Sequence, residues 1–424
     1  MRVARHGLRA LLLGAVLSGH GRAEPSRKQS RPVYAYSNRP QIAIPVTSLG
    51  YMPPGELPAY SFFSLVELHF FDPTHLVFSF NTTGLLQRDD SCSNEDSERL
   101  VQTVLLDLPS GRVQKEAKWK LYDFGDFLWN IGDGELLLRR CSLLEKVDAS
   151  LTPAAFIHPA GSLTQMTFSP DHSLLLLQEQ TAPDAQDSPP AQAAKPSPTS
   201  ASATPPQPSQ PKTPRIKLDF VRLHPLIVIA TSTVPVPVRL PIIDEGFLEL
   251  LEAPHSRWVV NLQPYQGPLR QVAVLHSVCT PKLTALSNDV FVAGLCNSVE
   301  EIHYEGYNLQ GRALWTIPVS LDRYSPQFAV SRNGAHFAIE TLRVTHPVAT
   351  LDPLNSQTVD GQIVDVYDTL TGVRIATFDT TPVYTAGHNF DFSPDGRRIA
   401  ILHDGRIEIY DLNGVSANTQ ALPR

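Results

Sequence analysis

The chain has 424 residues, a formal net charge of −7 and a hydrophobic fraction of 42%. This acidic balance argues against nucleic acid or an anionic membrane surface as the partner, because both are bound by basic patches. A chain of this length that folds as one unit needs an architecture that grows by repetition.

Residues 1–23 have the features of a secretory signal: a basic start, a short apolar run at 10–18, and small residues at the cleavage positions before 24. The run is about half the roughly 20 residues needed to span a bilayer, which favours cleavage after Ala23 over an anchor. Cleavage removes four arginines, so the charge becomes −7 − 4 = −11. We therefore expect an exported protein, periplasmic or extracellular, without an integral membrane segment in its mature form.

Residues 181–214 form a segment of unusual composition, with ten prolines, seven alanines and no Leu, Ile, Val, Met or aromatic residue. Such a segment has nothing to bury and is predicted to be a disordered loop. Strand-like sequences flank it, which favours an insertion within one domain, 24–424, over a linker between two domains. A further hypothesis makes the segment a tether that reaches a partner.

The chain ends in a strand–turn–strand–turn–strand pattern at 390–412, FDFSPDGRRIAILHDGRIEIYDL. Weaker copies of its first turn occur at 167–172 and 329–334, each followed by a second apolar strand. Related turns are recognisable near 74, 133, 171, 255, 288, 333 and 395. From 74 to 395 is 321 residues, or 287 without the insertion, and 287/6 gives about 48 per repeat. The pattern predicts an all-β fold, a β-propeller of seven four-stranded blades.

A second turn, starting with Asp or Asn and ending with Gly, recurs at 107–111, 308–311 and 368–372 and precedes another strand each time. The copy at 411–414 has no strand after it, so the last blade is one strand short. A closed propeller must cover that edge. The alternating run at 41–46 has no blade of its own, and we expect it to complete the last blade and close the ring.

The turn at Phe392–Gly396, the strand at 399–401 and the segment Ile409–Gly414 resemble the repeats of WD-repeat-like propellers in exported bacterial proteins, such as the propeller domain of the Tol-system periplasmic protein. This resemblance implies the fold. The architecture includes scaffolds, receptors and enzymes, so the resemblance implies no particular function.

Four cysteines in an exported chain permit disulfides. If residues 287 and 288 form a two-residue hairpin turn, the numbers of any two directly paired residues add up to 575. The numbers of Cys279 and Cys296 also add up to 575, so these two residues are paired. The two cysteines then fall on a non-hydrogen-bonded pair, with Cα atoms about 4.5 Å apart, which predicts a disulfide. A bridge between Cys92 and Cys141 is possible, but no spacing argument supports it.

The sequence contains none of the common catalytic, phosphate-binding or zinc motifs, so we assign no catalytic residue, metal ligand or cofactor. The function predicted is that of a non-enzymatic binding or scaffold propeller, a monomer whose partner is an unidentified protein, peptide or glycan. The alternative is a propeller hydrolase or lactonase with a channel metal, held by histidines of separate blades such as His303, His336 or His388.

Overall fold

The computed structural model describes residues 39–51, 66–81, 88–89, 98–121, 126–140, 143–181, 215–298, 301–347, 357–381 and 389–412. These residues form seven antiparallel sheets arranged in a ring, which confirms the predicted seven-bladed propeller. None of the helical structure within these ranges is long and apolar enough to cross a bilayer. The predictions for 1–23, 182–214, Cys92, Cys141 and His388 lie outside the described residues.

We number the blades in chain order and give each blade's strands from the axis outward. Blade 1 contains β2 (Val66–Asp72), β3 (His75–Asn81), β5 (Glu98–Asp107) and β6 (Val113–Leu121), with the short β4 (Arg88–Asp89) beside β5. Blade 2 contains β7 (Leu128–Gly132), β8 (Glu135–Arg140), β9 (Leu143–Val147) and β10 (Pro153–Ile157). Blade 3 contains β11 (Ser162–Phe168), β12 (Leu174–Thr181), β13 (Arg215–Arg222) and β14 (Ile227–Val234).

Blade 4 contains β15 (Ile242–Ile243), β16 (Gly246–Ala253), β17 (Arg257–Pro264) and β18 (Arg270–His276). Blade 5 contains β19 (Lys282–Ala285), β20 (Val290–Cys296), β21 (Ile302–Asn308) and β22 (Ala313–Pro318). Blade 6 contains β23 (Arg323–Val330), β24 (His336–Val344), β25 (Val359–Asp368) and β26 (Arg374–Asp379). Blade 7 contains β27 (Phe390–Phe392), β28 (Arg398–His403), β29 (Arg406–Asp411) and the N-terminal β1 (Ile42–Pro45), which a 3₁₀ turn (Thr47–Leu49) follows.

The second strand of blade 3 is apolar on both faces because neighbouring blades cover both. In β12, four consecutive leucines begin the strand and all are buried. Leu175 and Leu177 pack with Ile131 of blade 2, whereas Leu174 and Leu176 pack with Ile242 of blade 4. Successive side chains of a strand point to opposite faces, so one strand contributes to two of the cores between blades.

The N-terminal strand closes the ring, as the sequence predicts. β1 pairs antiparallel with β29, with Ile42 opposite Ile409 and Ile44 opposite Ile407. Ile44 and Val46 are buried in a core shared with the aromatic side chains of β3. The first and last parts of the described chain are therefore joined within one sheet.

The predicted turns lie between the first and second strands of their blades, except in blade 4. There Pro254 and His255 connect β16 to β17, the second and third strands, so this assignment is wrong. The first turn of blade 4 is at Asp244 and Glu245. The sequence hides it because β15 has only two residues and follows a proline-rich stretch at 235–241, which does not look like a strand.

Cys279 and Cys296 form the predicted disulfide, with a Cα–Cα distance of 5.6 Å. The register used to predict it is wrong by one residue, because Lys282 pairs with Gly294 rather than with residue 293. The turn has an extra residue: the Ser287 hydroxyl accepts hydrogen bonds from the backbone N–H groups of residues 289 and 290, at 3.1 and 3.0 Å. Cys279 precedes β19, so the disulfide joins the connection between blades 4 and 5 to the end of β20.

Candidate functional site

A guanidinium group crosses the centre of the ring. Arg332, in the first turn of blade 6, donates from Nε and Nη2 to the carbonyl oxygen of Asp171 in blade 3, both at 3.2 Å. Its Nη1 donates to Oδ1 of Asn130 in blade 2 at 3.1 Å. Blade 6 is adjacent to neither blade, so these contacts are possible only across the propeller axis, at the end of the ring where the first turns lie.

Asn130 joins this crossing to the neighbouring blade. Its Nδ2 donates to the carbonyl oxygens of Phe70 and Phe71, both in the first strand of blade 1. Its Oδ1 also accepts the N–H of Gly132 at 2.8 Å. Gly132 has φ +97°, and a Cβ there would lie 2.6 Å from Nη2 of Arg332. Only glycine satisfies both the backbone conformation and the space that the guanidinium needs.

His69 lies between two carboxylates on the same end of the ring. Its Nε2 is 3.0 Å from Oε2 of Glu67, which is only 1% exposed, and its Nδ1 is 3.7 Å from Oδ2 of Asp391 in blade 7. Burial by itself would lower the pKa of His69, but contact with Asp391 and Glu67 outweighs it and raises the pKa to about 9. His69 therefore carries a proton at neutral pH.

The carboxylates also accept backbone hydrogen bonds from neighbouring blades. Oδ2 of Asp391 accepts the N–H of Phe70 at 2.8 Å, which joins blade 7 to blade 1. Oε1 of Glu67 accepts the N–H of Phe127 at 3.3 Å, which joins blade 1 to blade 2. Each carboxylate thus contacts a histidine on one side and a peptide group on the other.

His172 has the opposite electrostatic environment. Its Nδ1 lies 2.6 Å from the carbonyl oxygen of Asn130 and can act only as the donor there. Burial lowers its pKa, and the positive charges of Arg332 and His69 add to the effect, so that the pKa falls to about 4 despite the bond to Asn130 and the charge of Asp391. His172 is neutral at pH 7. We call this group of side chains the axial cluster: Glu67, His69, Asn130, His172, Arg332 and Asp391.

Around the axial cluster, the first turns of adjacent blades are hydrogen-bonded to one another. Asp244 of blade 4 accepts from Ser173 of blade 3 at 3.2 Å and from Asn288 of blade 5 at 2.7 Å. Asn333 and His336 of blade 6 donate to the carbonyl oxygens of residues 395 and 396 in blade 7, at 2.6 and 2.9 Å. These contacts fix the positions of the turns that carry Arg332 and Asp171.

Within the described residues, the histidines suggested as ligands of a channel metal do not form a metal site. His303 lies on β21 of blade 5, His336 donates to Gly396, and His388 is outside the described residues. Nowhere in the described parts of the chain do three or more His, Cys, Asp or Glu side chains lie close enough to hold a metal ion.

The axial cluster was not predicted, although the sequence contains two signals for it. Glu67 and His69 are two residues apart, and therefore on one face, and they alternate with apolar residues in strand β2. Arg332 occupies the position that proline holds in the matching turns, as at Pro170 and Pro394. A charged residue at a recurring proline position is a departure from the repeat that suggests a special contact.

Comparison with known proteins adds information on the fold alone. No family of known proteins matches the sequence, and no curated protein matches it. Among solved structures, the uncomplexed acylaminoacyl peptidase of Pyrococcus horikoshii is similar over 84% of this chain and 53% of its own, with 10% identity and a TM-score of 0.47. A second crystal form of that peptidase has a TM-score of 0.49, with 10% identity over 84% of this chain and 52% of its own.

A chain from the mitotic checkpoint complex is similar over 95% of this chain and 99% of its own, with 10% identity and a TM-score of 0.39. Hsv2 of Kluyveromyces lactis covers 80% of this chain and 89% of its own, with 8% identity and a TM-score of 0.41. The chain spans about half the length of the peptidase chains, at 53% and 52%. At these identities the likeness is one of fold.

Proposed function

We propose that this protein is an exported, non-enzymatic binding or scaffold propeller that engages a protein, peptide or glycan as a monomer. The pairing of charges in the axial cluster is the observation that carries the proposal. His69 is held by Glu67 and Asp391, and Arg332 by Asn130 and the Asp171 carbonyl. These contacts join blade 1 to blade 7 and blade 6 to blades 2 and 3, as structural contacts of a binding or scaffold propeller would.

Export is supported by the disulfide between Cys279 and Cys296, since such bonds persist in oxidising compartments. The resemblance to exported Tol-type propellers remains a hypothesis consistent with that location. The N-terminal residue of the protein recovered from the exported fraction of its host tests this part. Cleavage after Ala23 supports export, and an intact Met1 in the cytoplasmic fraction contradicts it.

The binding function is tested against enzymatic activity with the purified protein. Chromogenic ester, lactone and peptide substrates are incubated with wild type, Arg332→Met and His69→Gln, with and without added Zn²⁺, Mn²⁺ or Ca²⁺. We expect wild type to turn over these substrates no faster than the two variants do. Turnover by wild type that either substitution abolishes would overturn the proposal.

The alternative, a propeller hydrolase or lactonase, is favoured by one observation. Two partly buried histidines with pKa values displaced in opposite directions, to about 9 and about 4, lie in one cluster, and such displacement is common at catalytic sites. Elemental analysis of the protein purified from its host provides a separate test. One equivalent of bound metal that His69→Gln loses would favour the alternative.

A further inference from the structure

The outermost strand of blade 3 has a free edge. Within the described residues, β14 (Ile227–Val234) pairs only with β13, on its inner side. The other side of the strand presents backbone N–H and C=O groups that can pair with an incoming strand. Proteins usually protect such edges with charged side chains, prolines or a covering segment.

β14 lacks the first two kinds of protection, and every other outermost strand has at least one of them. The protecting residues are Pro45 in β1, Lys115 in β6, Pro153 in β10, Arg270 in β18, Pro318 in β22 and Arg374 in β26. β14 has eight residues with neither a charge nor a proline. The surrounding stretch 223–238 contains no Asp, Glu, Lys or Arg.

The side chains along this edge are apolar or hydroxylic, and they are accessible. Ile227 and Val228 are 49% and 56% exposed, and residues 231–233 are an exposed Thr-Ser-Thr. Of the four charged residues of β13, behind the edge, Lys217 and Asp219 are paired with each other, and the other two lie at the ends of the strand. Asp219 of β13 accepts from Lys217 at 2.5 Å and from Thr231 at 2.8 Å. Between those two ends, an arriving strand would therefore meet a neutral surface.

We propose that the edge of β14 binds an extended, uncharged segment of another protein, which adds to blade 3 as a further strand. The segment has alternating Val or Ile and Thr or Ser side chains, because these match the apolar and hydroxyl groups of β14 and fit a pleated surface. Main-chain hydrogen bonds supply affinity in this mode, and the alternate side chains supply specificity. The inference rests on the proposed binding function and names the surface that performs it.

A second copy of this chain fits the edge less well. Pairing of two eight-residue strands involves a small part of each propeller, whereas stable protein pairs bury about 1,200–2,000 Å² in total. Each mature copy also carries a formal charge of −7 − 4 = −11, so that two copies repel one another. An extended segment can follow the twist of the edge without bringing a second large acidic body close to it.

The experiment uses the full chain and a defined probe, a fluorescein-labelled, capped peptide of four Thr-Val repeats. A matched control peptide has N-methyl groups at every residue, which removes the N–H donors along both of its edges and leaves the side chains unchanged. We expect saturable binding of the first peptide by fluorescence anisotropy, and at least tenfold weaker binding of the second. Equal binding of the two peptides would overturn the proposal, because ladder hydrogen bonds would then play no part.

The site is located with paired variants. Val228→Lys with Thr233→Lys puts two charges on β14, and Ala313→Lys with Thr316→Lys puts two on exposed positions of β22 in blade 5. We expect at least a tenfold loss of affinity in the first variant and none in the second, with equal melting temperatures. The proposal would be overturned if wild type did not bind the peptide, or if both variants lost affinity equally. It would also be overturned if wild type sedimented as a dimer and only the β14 variant sedimented as a monomer. The substrate-turnover assay tests the proposed binding function separately, so the binding function and the β14 site can fail independently.

Discussion

The two histidines of the axial cluster make the stability of the fold depend on pH in opposite directions. His69 has a folded pKa of about 9, above its ordinary value of 6.5, so its contribution is complete below pH 6.5 and is lost as pH rises through 9. His172 has a folded pKa of about 4, so the unfolded state takes up a proton that the folded state does not, and stability falls as pH drops from 6.5 towards 4. Their sum is greatest near pH 6.5.

This dependence is measurable as melting temperature between about pH 4.5 and 9, above the range in which carboxylates titrate. We expect the wild-type maximum near pH 6.5. His69→Gln should lower stability, because Glu67 and Asp391 lose their positive partner, and should flatten the alkaline side. His172→Asn should flatten the acid side, and asparagine tolerates the local φ of +59°. Unchanged slopes in both variants would show that these histidines do not titrate as the geometry implies.

At the scale of single elements, short-range sequence features predict well and long-range contacts do not. The turn at Asp395-Gly396 was predictable because its signal is local: the Asp395 carboxylate accepts from Ser393 at 2.6 Å and Gly396 has φ +67°. The register of β19 and β20 was not, because one serine hydroxyl lengthens the turn by a residue. Arg332 and Asp171 are 161 residues apart, and only closure of the ring brings them together.

The disulfide is an element-scale contribution that can be removed without altering a strand. It closes a loop with a sequence separation of 17 between Cys279 and Cys296. Loops of this size are worth about 3 kcal/mol of unfolding free energy, because the bond restricts the unfolded chain. We expect Cys279→Ser with Cys296→Ser to lower the denaturation midpoint accordingly. Dithiothreitol should lower the denaturation midpoint of wild type and should have no such effect on the double variant. Equal midpoints of the two proteins in oxidising buffer would mean that the bond does not form.

At the scale of the whole molecule, two connections add to the apolar cores between blades in closing the ring: the axial cluster at its centre and the pairing of β1 with β29 at its rim. They differ in what the sequence could reveal. The rim closure follows from counting strands, because the last blade ends after its third strand and β1 is left over. The axial closure depends on side chains from five blades that meet at the axis, and no count of strands indicates it.

The rim closure leads to a quantitative expectation. Ile44 is 4% exposed and packs with Phe78 and Phe80 of blade 1, as well as on β29. Truncation of a buried isoleucine to alanine costs about 2–5 kcal/mol, so Ile44→Ala should lower the free energy of unfolding by an amount in that range. The exposed neighbour Ala43 is the matched control, and Ala43→Ser should change the free energy of unfolding by less than about 0.5 kcal/mol.

Deletion of residues 1–50 should have a larger effect than Ile44→Ala, because it removes the whole strand and Val46, which is 0% exposed. The β29 edge would then lie open, with its ladder groups facing water and the aromatic side chains of β3 partly uncovered. Thermal unfolding of the truncated chain, followed by circular dichroism, measures the difference. Hydrogen exchange should also become faster at the amides of β29 and remain unchanged in blade 4, on the far side of the ring. If the melting temperature stayed the same, β1 would be an attached strand that contributes nothing to closure, and the axial cluster and the apolar core shared by blades 7 and 1 would hold these blades together.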